Sequence, residues 1–193
     1  MDVFFLRKFV STEDCIKLSS WIDIGIQNEW VSFGCNIETG LKNYKGRLTT
    51  RGFDDRFTFP SLVHEISNRI TDSLKLSNFA KSNNGNKFGI IGTSTQTGGN
   101  VITHTDPKEN NGSVHVLRCN IVTQVSESGG ELVIDGKKIP LQIGDLHCYL
   151  VTLLPHSVTQ VKGKTSRILW MFGYQVSIEQ FNTLQESWKT LKN

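Results

Sequence analysis

The sequence is poor in several features that mark large protein classes. It has only 4 cysteines and 4 prolines in 193 residues. Cys15, Cys35, Cys119 and Cys148 lie far apart and form no CxxC pair. That spacing excludes a zinc ribbon and the disulfide framework of a small secreted domain, and the four read as reduced, buried thiols of a cytoplasmic protein. No apolar run approaches a membrane span, so no membrane partner is expected. The opening MDVFFLRKFV has no basic n-region, long apolar stretch or small-residue cleavage site, so no signal peptide is expected. Charge of one sign is not in excess: 21 Lys+Arg face 18 Asp+Glu, a net charge of +3. The basic residues are scattered, so a nucleic-acid partner is not favoured. Repeats, low-complexity segments and linkers are absent from the sequence. What remains is 37% hydrophobic and 20% charged, ordinary for a globular chain that buries one core. Residues 1–193 therefore read as a single domain, with oligomeric state left open.

Hydrophobic periodicity divides that domain into three parts. Residues 1–87 are an N-terminal helical support. Val3–Val10 reads as a short strand, and Ser11 then caps a helix carrying Cys15, Leu18, Ile22 and Ile26 at helical spacing. Residues 33–55 show no clear period. A second helix starts in the turn at Pro60 and continues through Leu62, Ile66 and Ile70 to about Leu76. From 88 to 176 the chain reads as short strands at 88–95, 100–106, 114–125, 131–135, 138–142, 146–152, 156–161 and 166–176. Turn signals such as Gly98-Gly99, Gly129-Gly130 and Gly163 separate them. That spacing predicts a sandwich, jelly roll or barrel. Residues 177–193 form a closing helix with Ile178, Phe181, Leu184 and Trp188 on one side.

Within the β region, Val101–Asp106 reads VITHTD. On a strand, residues i and i+2 share a face, so His104 and Asp106 point the same way. Alone, the pair is as readable as surface polarity. His156, after Pro155, begins a strand that leads through Gly163-Lys164 to Arg167. Read as a two-residue hairpin loop, Gly163-Lys164 sets Gln160 opposite Arg167. Arg167 then faces the same way as His156, about 13 Å along by strand rise. The arginine side chain spans roughly half of that, which leaves room for a small dicarboxylate. Two histidines and one carboxylate on one face of a metal are the facial triad of non-haem Fe(II) oxygenases. His64 reads as a helix residue, and His115 and His147 as ordinary sheet histidines.

At these residues the chain resembles the Fe(II)/2-oxoglutarate-dependent dioxygenases, in their prolyl-hydroxylase-like and aspartyl-β-hydroxylase-like branch. The matching pieces are His104-Thr105-Asp106, Pro155-His156-Ser157-Val158, Arg167 and the turn Gly129-Gly130-Glu131-Leu132. The resemblance implies a mainly β fold, a double-stranded β-helix or jelly roll with N-terminal helices packed against it and a C-terminal helix. It implies Fe(II) held by His104, Asp106 and His156, which are also the catalytic residues. It implies 2-oxoglutarate as co-substrate with Arg167 on its distal carboxylate, and O2 as oxidant. The reaction is then hydroxylation of an unactivated C–H with release of succinate and CO2. Halogenating relatives have Gly or Ala at position 106, so the carboxylate favours hydroxylation.

Further candidates come from strand parity. Arg118, Asn120 and Val122 share a face, and polar residues there line a wet cavity. The position resembles the Arg-x-His of aspartyl-β-hydroxylase-like enzymes, and that resemblance implies Asn120 on 2-oxoglutarate and Arg118 on substrate, with a structural ion pair the equal alternative for Arg118. Relatives often carry a co-substrate tyrosine near Thr95-Gln96, and this chain does not. Arg47 and Arg51 read as a loop that either is simply solvated or covers the mouth and binds an anionic substrate. The leading expectation is a hydroxylase of an amino-acid-like substrate, free or in a peptide, carrying an anionic group. The alternatives are an AlkB-type demethylase of nucleic acid and a non-catalytic cupin-type metal protein. The AlkB family usually carries a second arginine six residues after the first, and position 173 here is Gly.

Overall fold

A computed structural model describes residues 3–29, 31–33, 44–50, 59–82 and 89–190. Arg51 and Cys35 lie outside these residues. Helix α1 (Thr12–Gln27) starts where Ser11 Oγ accepts the Asp14 amide, with Glu13 and Asp14 in the first turn, where they oppose the positive end of the helix. Helix α2 (Ser61–Ser73) follows Pro60, which stands just before its first turn. Helix α3 (Ile178–Lys189) opens on a capping box between Ser177 and Gln180.

Ten antiparallel strands among the described residues make one sheet that curls over itself. Its larger layer runs β1 (Phe4–Leu6), β8 (Leu146–Leu150), β5 (His115–Gln124), β10 (Arg167–Val176), β4 (Ile90–His104), β3 (Tyr44–Thr50) and β2 (Val31–Phe33). The far end of β4 leaves that layer and pairs with β9 (His156–Val158), which continues into β6 (Leu132–Ile134) and β7 (Lys137–Ile139). This is the expected jelly roll, with helices on the outer face of its larger layer.

Strand alternation decides what each face buries. Leu117, Cys119 and Ile121 of β5, Ile168, Trp170 and Phe172 of β10, and Leu146 and Cys148 of β8 join one core with Leu18 and Ile22 of α1, Ile66 and Ile70 of α2, and Phe181 and Trp188 of α3. Each fully buried aliphatic or aromatic side chain there contributes about 1.5–3 kcal/mol. A smaller cluster, Val116, Leu132, Ile134, Tyr149 and Val151, fills the inside of the roll. Cys15, Cys119 and Cys148 are free, buried thiols, as expected. No helix among the described residues is long and apolar enough to cross a membrane.

The structure differs from the sequence reading at several points. The expected strands 88–95 and 100–106 are one strand, Ile90–His104, because Gly98 at φ 79 bends the chain without breaking it. The N-terminal third supplies strands as well as helices: β1 borders β8, and β3, in a segment with no visible period, borders β4. Arg47 therefore stands in the sheet and not in a loop. The Gly163-Lys164 hairpin is also replaced. β9 and β10 lie in different layers, and Arg167 pairs with Thr95 of β4. The connecting segment is held instead by Val161, whose amide donates to Gly99 O at 2.8 Å.

Asp145 ties the N-terminus to this frame. Its fully buried carboxylate accepts the Lys8 and Gln142 amides at 3.1 and 2.9 Å and meets the half-exposed Arg7. Asp145→Ala leaves two donors unsatisfied and should lower the unfolding free energy by about 2–4 kcal/mol. Arg7→Ala should cost under about 1 kcal/mol, because Arg7 is solvated. Urea denaturation of both variants checks the order; equal losses would contradict it.

Candidate metal centre and its cavity

β4 delivers His104 at its last position, and the cross-strand partner there is His156, the first residue of β9. The strand then stops. Asp106 is not on it, as the sequence pattern suggested, but two residues beyond, where its amide donates to Val151 O at 2.9 Å. The turn brings the carboxylate back over both rings. His104 Nε2 and His156 Nε2 lie 3.3 and 3.9 Å from Asp106 Oδ1. One ligand atom from each of the three residues falls within 4.8 Å of the others.

The ring tautomers suit a metal. His104 Nδ1 lies 2.9 Å from Ile102 O, and His156 Nδ1 lies 3.0 Å from Leu154 O. A carbonyl only accepts, so each Nδ1 carries the proton and each Nε2 turns a lone pair toward Asp106. Outer hydrogen bonds of this kind orient metal-binding histidines. Burial lowers the His156 pKa, which keeps the ring neutral near pH 7. Burial would raise the Asp106 pKa, but the contact with the His104 ring and the charge of Arg118 hold it at about 2. The donor set is thus two imidazole nitrogens and one ionised carboxylate, which fits a divalent first-row metal such as Fe(II).

The inner face of the larger layer continues the site. Arg118 and Asn120 of β5 stand there with Val122, as parity predicted. Arg118 Nη2 is 3.9 Å from Asp106 Oδ2, too long for a hydrogen bond. Arg118 Nη1, Asn120 Oδ1 and Arg167 Nη2 are buried with no hydrogen-bond partner among the described residues. Burial and the neighbouring charge of Arg47 lower the Arg167 pKa to about 10, so it stays charged near neutrality. Arg47 and Arg167 are both register partners of Thr95, one on each side of β4, and Arg47 Nη2 reaches Met171 Sδ at 3.6 Å. Gly130 lies beside Arg167: a Cβ there would touch Arg167 Cδ at 3.4 Å, and it would crowd Ser126 Oγ at 2.5 Å.

Two further residues come from β8: His147, which the sequence reading counts as an ordinary sheet histidine, and Tyr149, which it does not single out. His147 and Tyr149 face the same interior, as register partners of Asn120 and Arg118. Their signal was the alternation of LHCYL, in which Leu146, Cys148 and Leu150 take the apolar face. Both ring nitrogens of His147 are buried without a partner among the described residues. It is therefore not an ordinary sheet histidine, whereas His115 is one, bonded to Thr152 Oγ1 at 2.8 Å. Burial raises the Tyr149 pKa; Asp106 adds to that, and Arg167, Arg118 and Arg47 oppose it. His64 lies on α2 against Phe59, away from this cavity.

This arrangement, a jelly roll with a His-Asp-His cluster at one end and a buried arginine deeper in, is the class of fold that the sequence resemblance implied. Solved structures bear the fold out. A collagen prolyl hydroxylase of Paramecium bursaria chlorella virus-1, solved with 2-oxoglutarate, superposes with a TM-score of 0.63 at 12% identity, covering 91% of this chain and 96% of that one. A Trichoplax adhaerens prolyl hydroxylase, in complex with a hypoxia-inducible-factor peptide, gives 0.65 at 14%, covering 89% and 82%. OsALKBH1, an AlkB homologue, gives 0.57 at 14%, covering 88% and 96%. With an AlkB homologue among them, these likenesses do not set nucleic acid aside as a partner. The sequence matches no model of a known protein family and no curated protein.

His147 supplies a pH signature. Burial, and then the charge of Arg167, lower its pKa from 6.5 to about 3. Between those values the unfolded chain binds a proton that the folded one refuses. This contribution to stability is complete above pH 6.5 and is lost as pH falls toward 3. With EDTA present, lowering the pH from 7.5 to 5.5 should cost His147→Leu about 1 kcal/mol less unfolding free energy than wild type. Parallel losses in urea denaturation would show that His147 is not buried as a neutral ring.

Proposed function

We propose that the protein is an Fe(II)- and 2-oxoglutarate-dependent oxygenase that hydroxylates an amino-acid-like substrate, free or peptidyl. The observation that carries this is the convergence of His104, Asp106 and His156 within 4.8 Å, in the same roll as a buried Arg167 whose Nη2 has no partner among the described residues. His104, Asp106 and His156 would hold the iron. Iron and 2-oxoglutarate together would supply the oxidation, with O2 as oxidant and succinate and CO2 as products.

The chain's own residues set the geometry. Arg167 presents a rigid fork to the distal carboxylate of 2-oxoglutarate, a grip that a lysine would not hold as firmly. His147, neutral at working pH, offers an N–H to the same end of the co-substrate. Tyr149, on β8 opposite Arg118, would take the place of the tyrosine missing near Thr95. Asn120 lies beside His147 and contributes its amide. The apolar walls at Val116, Val122 and Leu169 exclude water from the reacting centre.

A second reading, oxidative demethylation of nucleic acid, is favoured by the likeness to OsALKBH1. Position 173, where that family usually has its second arginine, is Gly. A Cβ there would lie 2.8 Å from Arg118 Nη1, so the guanidinium of Arg118 fills that space from the neighbouring strand. Hydroxylation ranks first for that reason.

Anaerobic titration with Fe(II) and 2-oxoglutarate tests the reading. Wild type should develop the weak visible charge-transfer band of an iron-chelated 2-oxo acid. His104→Ala should lose it. Arg167→Ala should need about 10–100 times more 2-oxoglutarate, the cost of one charge-assisted contact. Iron binding without any band in wild type would sink the proposal.

A further inference from the structure

We propose that Glu109 is a positioning residue for the metal centre: it stands outside the His-Asp-His cluster and ties the loop that carries Asp106 to β10. This rests on the metal-centre reading above and names a residue through which that centre is held in shape.

Asp106 is the one member of the cluster that no strand holds. His104 ends β4 and His156 begins β9, whereas Asp106 lies in the chain beyond β4. Its carboxylate takes little direction from its neighbours. Both histidine Nε2 atoms turn lone pairs toward it, and Arg118 Nη2 stops 3.9 Å from Oδ2. The carboxylate is therefore aimed by its backbone. On one side the Asp106 amide donates to Val151 O at 2.9 Å. On the other side comes Pro107, which disfavours helical backbone at Asp106 but has no N–H with which to anchor the chain.

From Pro107 to Ser113 every residue except Glu109 is exposed. The Glu109 backbone exchanges hydrogen bonds with Val114 at 3.0 and 3.2 Å. They close a tight loop through Asn110, Asn111 and Gly112, all left-handed at φ 49, 55 and 87. The Glu109 side chain reaches out of this loop to the body of the protein. Its Oε1 accepts from Ser82 Oγ at 2.6 Å, and its Oε2 from Gln175 Nε2 at 2.8 Å. The two donors sit on segments that are bonded to each other. The Ser82 amide donates to Gly173 O at 3.0 Å, and the Gln175 amide to Ala80 O at 2.8 Å. Ser82 is fully buried, so its hydroxyl is a fixed point.

The choice of side chain follows from this arrangement. A carboxylate accepts on both oxygens at once, whereas a glutamine accepts on one only. Glu109 also lies just three residues past Asp106, so the tether restrains the ligand through a short span of chain. Without it the loop is held only by its own backbone bridge, and Asp106 samples more orientations. Metal affinity then falls in proportion to the fraction of molecules that present the carboxylate correctly.

The test is calorimetric titration of the whole protein with Ni(II), which such ligands hold more tightly than Fe(II), so weakened sites stay measurable. Glu109→Ala should bind Ni(II) about tenfold more weakly than wild type, the usual scale for losing an outer partner of a metal ligand. Ser82→Ala, which cuts the tether from the other end and keeps the loop sequence intact, should weaken binding in the same direction. Glu109→Gln should recover part of the loss. The deciding comparison is made in Asp106→Ala, where adding Glu109→Ala should change Ni(II) affinity by less than about twofold, the ordinary error of additivity. An equal loss with and without Asp106 would show that Glu109 serves the fold and would overturn the proposal. So would wild-type affinity in Glu109→Ala and Ser82→Ala. Failure of wild type to bind Ni(II) at all would instead remove the metal-centre reading, and this proposal with it.

Discussion

Strand β4 is hydrogen-bonded to β3 and β10 through its first half and to β9 through its end. One continuous strand therefore sets the distance between Thr95, level with Arg47 and Arg167, and His104, level with His156. The rest of the site depends on this constraint. The bend at Gly98 moves β4 from the larger layer to the smaller one without releasing its register. The metal cluster forms where the strand runs out, and the turn to Asp106 closes it. A shift of one residue in β4 would send His104 and Thr95 to the wrong faces together.

Electrostatics follows from the same frame. The inner face of the larger layer carries Arg47, Arg118 and Arg167, and the carboxylate near them is Asp106 of the His-Asp-His cluster. Buried positive charge of this kind costs stability unless it is paired. Burial first, and then the charge of Arg167, lower the His147 pKa, while against burial the His104 contact and the charge of Arg118 hold the Asp106 pKa low. Ligand binding would offset the cost, so a dicarboxylate co-substrate should act as part of the folded structure.

Much of this was legible in the sequence, and the exceptions have physical causes. Parity along β5 separated Arg118 and Asn120 from Leu117, Cys119 and Ile121, because a strand buried on both sides still alternates in chemistry. The jelly roll was visible in strand spacing and turn residues. The triad was found through a motif, yet the reason given for Asp106 was wrong: it meets His104 through a turn and not along a strand. Arg167 was placed in the cavity by a hairpin that does not form; its true neighbour, Thr95, is far away in the chain, and local patterns carry no such pairing. β3 stayed hidden because its segment lacks hydrophobic alternation and gains its order from pairing with β4. His147 and Tyr149 were missed because a lone histidine in an apolar run looks the same whether it faces a core or a cavity.

The central claim is that His104, Asp106 and His156 support oxidation coupled to 2-oxoglutarate. Its most direct measurement is succinate formed from 2-oxoglutarate by the iron-loaded protein in air, with no other substrate added. The account predicts slow succinate production that requires Fe(II) and O2 and disappears in His156→Ala. Folded, iron-loaded protein that leaves 2-oxoglutarate unchanged, or a His156→Ala variant that forms succinate at the wild-type rate, would contradict it.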